Sequence, residues 1–165
     1  MTAPLTDVVA RTVPSPVGRL LLVGDGARLA GLFMTDQRHR PAIPSATEDG
    51  EAFADAVEQL GEWFAGGRRD FDLALAPRGS AFQQEVWDAL RRIPFGDTVS
   101  YGEVAARVGR PGSARAVGAA VGRNPIGIIV PCHRVVGARG ALTGYAGGLD
   151  RKRWLLDHER QVSAR

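Results

Sequence analysis

Hydrophobic positions divide the chain into a first part with strand-like patterns and a second part with helical ones. Apolar runs at residues 8–13, 20–23 and 29–34 are separated by turn-forming residues such as Asp25-Gly26. Such spacing predicts an antiparallel meander. Residues 37–50, rich in proline and polar side chains, are expected to form a loop.

A helical stripe follows this loop. Phe53, Val57, Leu60 and Phe64 recur at the spacing of one helix face. Alternation over residues 71–75 predicts a short strand. The first part is therefore expected to be an α/β unit, a small antiparallel sheet with one helix packed against it.

After residue 77 the pattern changes to helices joined by short turns. Ser80 with Gln83, and Ser100 with Glu103, match the capping box that starts a helix. Ser113 is expected to cap a third helix that runs to about residue 123. Two short helices joined by a glycine-containing turn match the helix-turn-helix pattern. We therefore expect a mainly α second domain, with a domain boundary between residues 77 and 78.

The third helix has two different faces. Ala114, Val117 and Val121 define a face expected to be buried. The neighbouring face carries one arginine and then almost bare backbone: Arg115, Gly118, Ala119 and Gly122. Glycine inside a helix costs about 1 kcal/mol relative to alanine, so a reason for it is expected. Close packing of another helix is the simpler explanation, and close approach to a nucleic-acid groove is the other.

Composition narrows the class of protein. The chain has 165 residues, 44% of them hydrophobic, which excludes a disordered chain. No apolar run approaches the roughly 20 residues of a membrane span, and the N-terminus lacks the features of a signal peptide, so a cytoplasmic protein is expected. One cysteine and three histidines are few ligands for a closed zinc site, and we expect no metal.

Charge is unevenly distributed along the chain. Residues 1–77 carry 7 basic and 11 acidic side chains, whereas residues 78–165 carry 14 and 7. A basic second half suggests a polyanionic partner, most commonly nucleic acid. Of the 21 basic residues only Lys152 is lysine, a ratio that we attribute to a coding bias toward arginine.

The single cysteine follows an apolar segment, residues 124–130, that is expected to form a short strand. Cys132 is either inert packing or a nucleophile, because most free cysteines are buried as small hydrophobes. A nucleophilic thiol needs a base or a cation, and His133 and Arg134 are adjacent. If this segment is extended, neighbouring side chains point in opposite directions, so direct contact between the thiol and the imidazole is not assumed.

Two later features also suggest chemistry. The last helix, expected to be capped by Asp150, places Glu159 on its inward stripe, where a carboxylate needs a partner. If buried, Glu159 could orient a histidine that deprotonates Cys132; the alternative is exposure at a frayed helix end. The glycine-rich segment 137–149 around Tyr145 suggests a loop that lines a pocket.

Several separately spaced motifs lie in the second part of the chain. They are Tyr101-Gly102-Glu103-Val104-Ala105, Arg115-Ala116-Val117-Gly118, Asn124-Pro125, Val130-Pro131-Cys132-His133-Arg134-Val135 and Gly144-Tyr145-Ala146-Gly147-Gly148-Leu149. Together they closely resemble one family, the O6-alkylguanine-DNA alkyltransferases. The resemblance covers about residues 80–161, while over residues 1–77 it rests only on length and an α/β pattern.

The resemblance implies direct-reversal DNA repair. In this family a cysteine attacks the alkyl carbon on guanine O6 in double-stranded DNA, and on thymine O4, and keeps the alkyl group, so each molecule acts once. It also implies a winged helix-turn-helix, flipping of the damaged base through the minor groove, and no cofactor. A monomer is expected, with cooperative binding along DNA left open.

The resemblance also assigns roles to individual residues. Cys132 is the acceptor, His133 the base through a bridging water, Glu159 its partner, Asn124 the brace of the segment, and Tyr101 the proton donor to guanine N3. The residues expected at the DNA are Ser113, Ala114, Arg115 as the finger that fills the gap, and Gly118. Those expected around the base are Val135, whose carbonyl reads the guanine amino group, Tyr145, Ala146 and Gly147.

Ala146 departs from family members that carry a serine there, so backbone N–H groups of residues 145–147 would have to bind O6. Two other functions remain open. One is a helix-turn-helix alkylation sensor or damage-binding protein without repair, and the other is a cysteine hydrolase that uses Cys132, His133 and Glu159.

Overall fold

The computed structural model of the protein describes residues 8–40 and 46–165. Its first part contains β1 (Val9–Val13), β2 (Leu20–Gly24), β3 (Leu29–Met34) and β4 (Thr47–Glu48), arranged as one sheet in the order β3-β2-β1-β4. The predicted antiparallel meander of the first three strands is confirmed. β4 pairs parallel with β1, so the sheet is mixed, and the loop prediction over residues 37–50 is wrong at this strand. Residues 41–45 of that loop lie outside the described residues.

The free edge of β3 is covered by residues 71–75 and 124–130, both predicted as strands. Each segment pairs with β3 at a single residue, Leu29 or Leu32, so both strand predictions are wrong. The second segment is a series of turns, because its backbone bends after its contact with Leu32. This contact attaches the segment before Cys132 directly to the sheet.

One helix of the first part, α1 (Ala54–Phe64), confirms the predicted helix, but its buried face is Ala56, Leu60 and Trp63, so of the predicted stripe only Leu60 is fully buried within the helix. Its buried Trp63 contacts the rings of Phe71, Phe95 and His158, which come from three distant parts of the chain. One large hydrophobic core therefore runs through both halves of the protein, and a smaller cluster of Ala10, Val23 and Phe33 lies apart from it.

The second part is mainly helical, as predicted. Two short strands, β5 (Val99–Ser100) and β6 (Val135–Val136), pair in parallel, and three-residue helical turns lie at Cys132–Arg134 and Ala138–Gly140. The elements are α2 (Ala81–Arg91), β5 (Val99–Ser100), α3 (Tyr101–Arg107), α4 (Ala114–Gly122), β6 (Val135–Val136) and α5 (Leu149–Ser163). No helix in the described part of the chain is long and apolar enough to cross a membrane.

The helix starts test the predicted caps. The box at Ser80 is complete. At α3 the Ser100 hydroxyl accepts the Glu103 N–H at 3.1 Å, but the Glu103 carboxylate contacts that hydroxyl instead of the backbone, so only half of the box forms. Ser113 precedes α4 without a side-chain cap bond, and α5 begins before Asp150, which lies in its first turn. Ser113 thus occupies the predicted N-cap position but forms no capping bond, whereas the cap prediction for Asp150 is wrong, because Gly148, with φ of 93°, is the N-cap of α5.

Candidate active site

Cys132 begins a helical turn rather than continuing an extended strand, which corrects the expected geometry of the segment. The preceding turns are braced by the buried Asn124, whose amide donates to the Val130 carbonyl at 2.8 Å and accepts the Ile126 N–H at 3.0 Å. Ile128 adopts a left-handed conformation with φ of 70°. The brace holds this bent backbone and presents Cys132, which is 8% exposed, at the bottom of a cleft.

The cleft has a volume of about 490 Å³ and is formed mainly by the second part of the chain. Tyr101, Cys132 and Tyr145 line it. One wall is α4, through Ala114, Arg115, Gly118, Val121 and Gly122. The arginine and the small residues of α4 therefore face an open space beside the only cysteine.

Packing does not require the glycines of α4. A Cβ atom added at Gly118 would lie 3.7 Å from the nearest atom of Tyr101, an ordinary contact, and one added at Gly122 would meet no described residue within 4 Å. The explanation by close helix packing is therefore wrong. Ala114 is half-buried and lines the cleft, and the buried stripe of α4 consists instead of Val117, Ala120 and Val121.

Behind Cys132 lies a buried group of charged side chains that we call the rear cluster: His133, Arg134 and Glu159. Glu159 lies 2.7 Å from His133 Nε2 and accepts hydrogen bonds from Arg134 Nε at 3.0 Å and Nη2 at 2.9 Å. The Gly96 N–H donates to the same carboxylate at 3.0 Å, and Arg134 Nη1 donates to the Ile93 carbonyl at 2.6 Å. The carboxylate predicted on the inward face of the last helix is thus buried and partnered.

The protonation states of the rear cluster follow from these contacts. Burial alone would raise the pKa of Glu159, but hydrogen bonds and charges from His133 and Arg134 outweigh it and lower the pKa to about 2. Burial lowers the pKa of His133, against the opposing effect of Glu159. An ionised carboxylate only accepts, so His133 Nε2 carries the proton. The other nitrogen, Nδ1, is a buried acceptor without a partner among the described residues.

The thiol itself is held in its protonated form by its surroundings. Burial raises the pKa of Cys132, and the Asn124 amide and the Lys152 ammonium partly oppose this effect. Lys152 is fully buried, and its ammonium donates to the carbonyls of Val135 at 2.6 Å and Thr143 at 2.9 Å. A base is therefore required to form the thiolate, and a fixed cation helps to stabilise it.

The predicted site residues fall into three groups. Seven line the cleft: Tyr101, Ala114, Arg115, Gly118, Cys132, Tyr145 and Ala146. Three lie behind it in buried positions: Asn124, His133 and Glu159. Ser113, Val135 and Gly147 do not line the cleft, and the Val135 carbonyl is already bonded to Lys152.

Several residues of the site were missed by sequence reasoning. Lys152 could have been found from the sequence, because it is the only lysine and lies on the same inward face of α5 as Glu159. Its rarity is instead attributed above to coding bias. Arg38 and His39 line the cleft although they belong to the first part of the chain, where no local pattern predicts a site. Thr143 also lines the cleft, and its hydroxyl donates to the Tyr101 hydroxyl at 3.2 Å.

The arrangement can perform nucleophilic chemistry. The Cys132 thiol lies in the cleft and is next in sequence to the neutral imidazole of His133. That imidazole has an acceptor nitrogen without a partner among the described residues, and Glu159 orients it. A nucleophile, a base and a group that orients the base occur in the same order in known catalytic relays. Within residues 8–40 and 46–165, no three His, Cys, Asp or Glu side chains come together as a metal site would need.

Comparison with protein families covers both parts of the chain. The family described as 6-O-methylguanine DNA methyltransferase, DNA binding domain, matches residues 81–161. The family described as 6-O-methylguanine DNA methyltransferase, ribonuclease-like domain, matches residues 8–77.

Individual relatives agree with these matches. The chain is 58% identical over 153 residues to the methylated-DNA–protein-cysteine methyltransferase of Mycolicibacterium paratuberculosis, covering 93% of each chain. It is 51% identical over 146 residues to the protein of the same name from Methanosarcina acetivorans, covering 88% of this chain and 94% of the relative. Among solved structures, Mycobacterium tuberculosis OGT in complex with DNA matches with a TM-score of 0.89 at 54% identity, covering 93% of each chain.

Proposed function

Because the chain belongs to the methylated-DNA–protein-cysteine methyltransferases, which repair DNA by alkyl transfer to a protein cysteine, we propose that Cys132 is its alkyl acceptor. The observation that carries the proposal is the position of the only cysteine, in a cleft between α4 and the rear cluster. The substrate is double-stranded DNA with an alkyl group on guanine O6, and we extend it to thymine O4.

In the transfer step the bond between O6 and the alkyl carbon breaks as a thioether bond forms at Cys132. The thiol proton moves through a water molecule to His133 Nδ1, the free acceptor of the rear cluster. Glu159 balances the imidazolium charge, and Arg134 keeps that carboxylate ionised and in place. Lys152 adds a fixed positive charge near the developing thiolate.

The electron pair of the broken bond goes to the guanine, which must take up one proton. Tyr101 donates it to guanine N3. Thr143 supports this role, because its hydroxyl donates to the Tyr101 oxygen and so leaves the phenol proton free for the base. Solvent then carries a proton from His133 back to Tyr101, which balances the step.

Access to O6 requires that the nucleotide leaves the base stack, because no thiolate can approach the alkyl carbon in line inside a duplex. Extrusion costs a few kcal/mol, and less for a mispaired base. The small residues of α4 allow the helix to approach the minor groove, with Ser113, Ala114 and Gly118 against the DNA. Arg115 fills the gap left by the extruded nucleotide. Phosphate contacts supply most of the affinity, which makes binding salt-dependent and poor in sequence preference.

The flipped base lies between Tyr145 and the segment after Cys132. The Val135 carbonyl accepts from Lys152 and does not line the cleft, so it can read the guanine amino group only if the entering base reaches its second lone pair. Since Ala146 has no hydroxyl, O6 is bound by backbone N–H groups of residues 145–147. Those groups have no acceptor among the described residues, which supports the assignment.

The thioether is stable, and the chain has no second cysteine that could resolve it. Each molecule therefore acts once. In this proposal residues 78–165 form the DNA-binding and catalytic domain, and residues 1–77 form an α/β N-terminal domain that shares a hydrophobic core with it.

The test is to incubate the protein with a duplex that carries isotopically labelled O6-methylguanine and to follow the label. We expect about one equivalent of label on the protein, and none on the variant Cys132→Ser, which keeps the size of the side chain. Label that stays on tightly bound DNA would indicate a sensor or damage-binding protein instead. Repeated turnover of an ester or amide would indicate a hydrolase.

A further inference from the structure

The wall of the cleft opposite α4 is held from outside by the first part of the chain. We call Tyr145–Gly147 the pocket loop. The Arg38 N–H donates to the Ala146 carbonyl at 2.9 Å. A Cβ atom added at Gly147 would lie only 2.7 Å from Met34 Sδ, so the loop packs tightly on the end of β3. The pocket loop therefore rests on the sheet of the first part.

Arg151, in the first turn of α5, adds a second connection of the same kind. Its Nε donates to the Val17 carbonyl at 3.1 Å, and its Nη1 donates to the carbonyls of Thr35 and, at 3.3 Å, of Gly147. Gly18, with φ of 99°, turns the chain beside the guanidinium, and a Cβ atom there would lie 3.5 Å from Nη2. One planar side chain thus joins the pocket loop to two separate turns of the first part.

These bonds matter because the pocket loop has little conformational preference of its own. Glycines flank Tyr145 and Ala146 on both sides, and glycine backbone is the most costly to order. In a trans peptide the carbonyl and the next N–H point in opposite directions. Holding the carbonyls of Ala146 and Gly147 therefore sets the orientation of the peptide groups on both sides of Gly147.

The position of the pocket loop also affects the Cys132 thiol. Tyr145 is buried, and its hydroxyl and the Cys132 thiol each influence the pKa of the other. A shift of the loop would move both this contact and the N–H groups that face the base.

We propose that Arg151 is a positioning residue of the alkyl-transfer reaction, which sets the pocket loop against Cys132 by anchoring it to the first part of the chain. The inference rests on the proposed function. It assigns to the first part, which supplies neither the thiol nor the rear cluster, the task of holding one wall of the pocket.

The experiment compares Arg151→Met, which keeps the length of the side chain but removes its donors, with Arg153→Met. Arg153 is on the same helix, with a side chain that is 59% exposed, so it controls for the loss of charge. Single-turnover methyl transfer from an O6-methylguanine duplex is measured against protein concentration. For Arg151→Met we expect the maximal rate to fall at least tenfold and the half-saturating concentration to change less than twofold, because α4 is untouched.

Alkylation by iodoacetamide, which needs the Cys132 thiol but no bound base, is measured in parallel. We expect its rate to change less than twofold in Arg151→Met, because the rear cluster and Lys152 stay in place even where the Tyr145 contact shifts. If Arg151→Met does not fold, Arg151→Lys is used; it keeps one donor group and should lower the maximal rate less than tenfold but more than twofold.

Two results would overturn the proposal. One is a maximal rate equal to that of the unchanged protein. The other is a higher half-saturating concentration as the only change, which would make Arg151 a DNA contact. Failure of the proposed function is separate, because the unchanged protein would then take up no label.

Discussion

Behind Cys132 the rear cluster is closed and charged, whereas in front of it α4 and the pocket loop form an open wall of small side chains. In the rear cluster every charge has a partner, and Glu159 alone accepts from three groups. In the front wall the useful property is the lack of side chains, at Gly118 and Gly122 in particular. The same cysteine is thus supported by strong polar contacts on one side and by bare backbone on the other.

The difference predicts how each region responds to change. Removing one partner from a buried ion pair leaves a charge without compensation, which costs several kcal/mol of folding free energy. Adding atoms to an exposed helix face costs the fold little or nothing. Substitutions behind the cysteine should therefore affect stability and chemistry together, whereas those on α4 should mainly affect the reaction with duplex DNA.

The largest expected effect comes from Glu159→Gln, which keeps the shape and removes the charge. We expect the free energy of unfolding to fall by about 3–5 kcal/mol, because Arg134 is left buried without its counterion. Methyl transfer should also slow, since His133 loses the anion that balances its charge. Urea denaturation and the labelled-duplex assay measure the two effects.

The matched control is Asp157→Asn on the same helix. Its exposed pair with Arg160, at 2.9 Å, should contribute less than about 1 kcal/mol. Equal losses in both variants would contradict the special role of the rear cluster.

Acid should weaken the rear cluster in the same way. The pKa of Glu159 is about 2 in the folded protein against an ordinary 4.5, so its contribution is present above 4.5 and is lost as the pH falls toward 2. The loss should be on the order of 3 kcal/mol. The pKa of His133 is also lowered from 6.5, so the unfolded chain takes up that proton first as the pH falls below 6.5. Denaturation curves at several pH values should therefore show stability falling toward acid.

The variant Glu159→Gln gives the internal comparison for this pH effect. Its stability should fall less steeply below pH 4.5, whereas Asp157→Asn should follow the unchanged protein. Parallel curves for all three proteins would assign the acid sensitivity to other carboxylates.

In front of the cysteine, Arg115→Ala should slow the reaction with duplex DNA and leave the chemistry at Cys132 unchanged. We expect at least tenfold slower reaction with the O6-methylguanine duplex, about 1.4 kcal/mol, because nothing fills the gap in the stack. Reaction with free O6-benzylguanine should change less than twofold. Arg28→Ala, in the β2–β3 hairpin away from the cleft, controls for charge. Equal loss on both substrates would make Arg115 a residue of the fold or the pocket.

The smallest expected effect is that of Gly118→Ala. The added methyl group has room, so the fold should gain up to about 1 kcal/mol, as it should for Gly61→Ala in α1, where nothing lies within 4 Å. Only Gly118→Ala should slow the duplex reaction, by a few-fold, because its methyl group would separate α4 from the groove. Thermal melts and duplex kinetics of the two variants test this pair. Equal kinetics would remove the argument for a bare face.

Features carried by neighbouring residues could be predicted from the sequence. The helix α1 and the capping box at Ser80 depend on residues a few positions apart, and both are confirmed, although α1 buries Trp63 instead of Phe64. The segment before Cys132 is not the strand that its apolar run predicts, because its conformation depends on Asn124 and on a contact with Leu32 of β3. An apolar run indicates burial, but it does not indicate whether the backbone is straight.

The sequence by itself determined the family, the single cysteine and the carboxylate on the inward face of α5, since each is read from local pattern and spacing. Only the tertiary structure decided what these groups meet. The partners of Arg151 in the first part of the chain are 116 and 134 residues away from it, and the ion pair of Arg134 with Glu159 spans 25 residues. Contacts of this kind form only when distant segments pack together in the folded core, and no periodicity in the sequence predicts them.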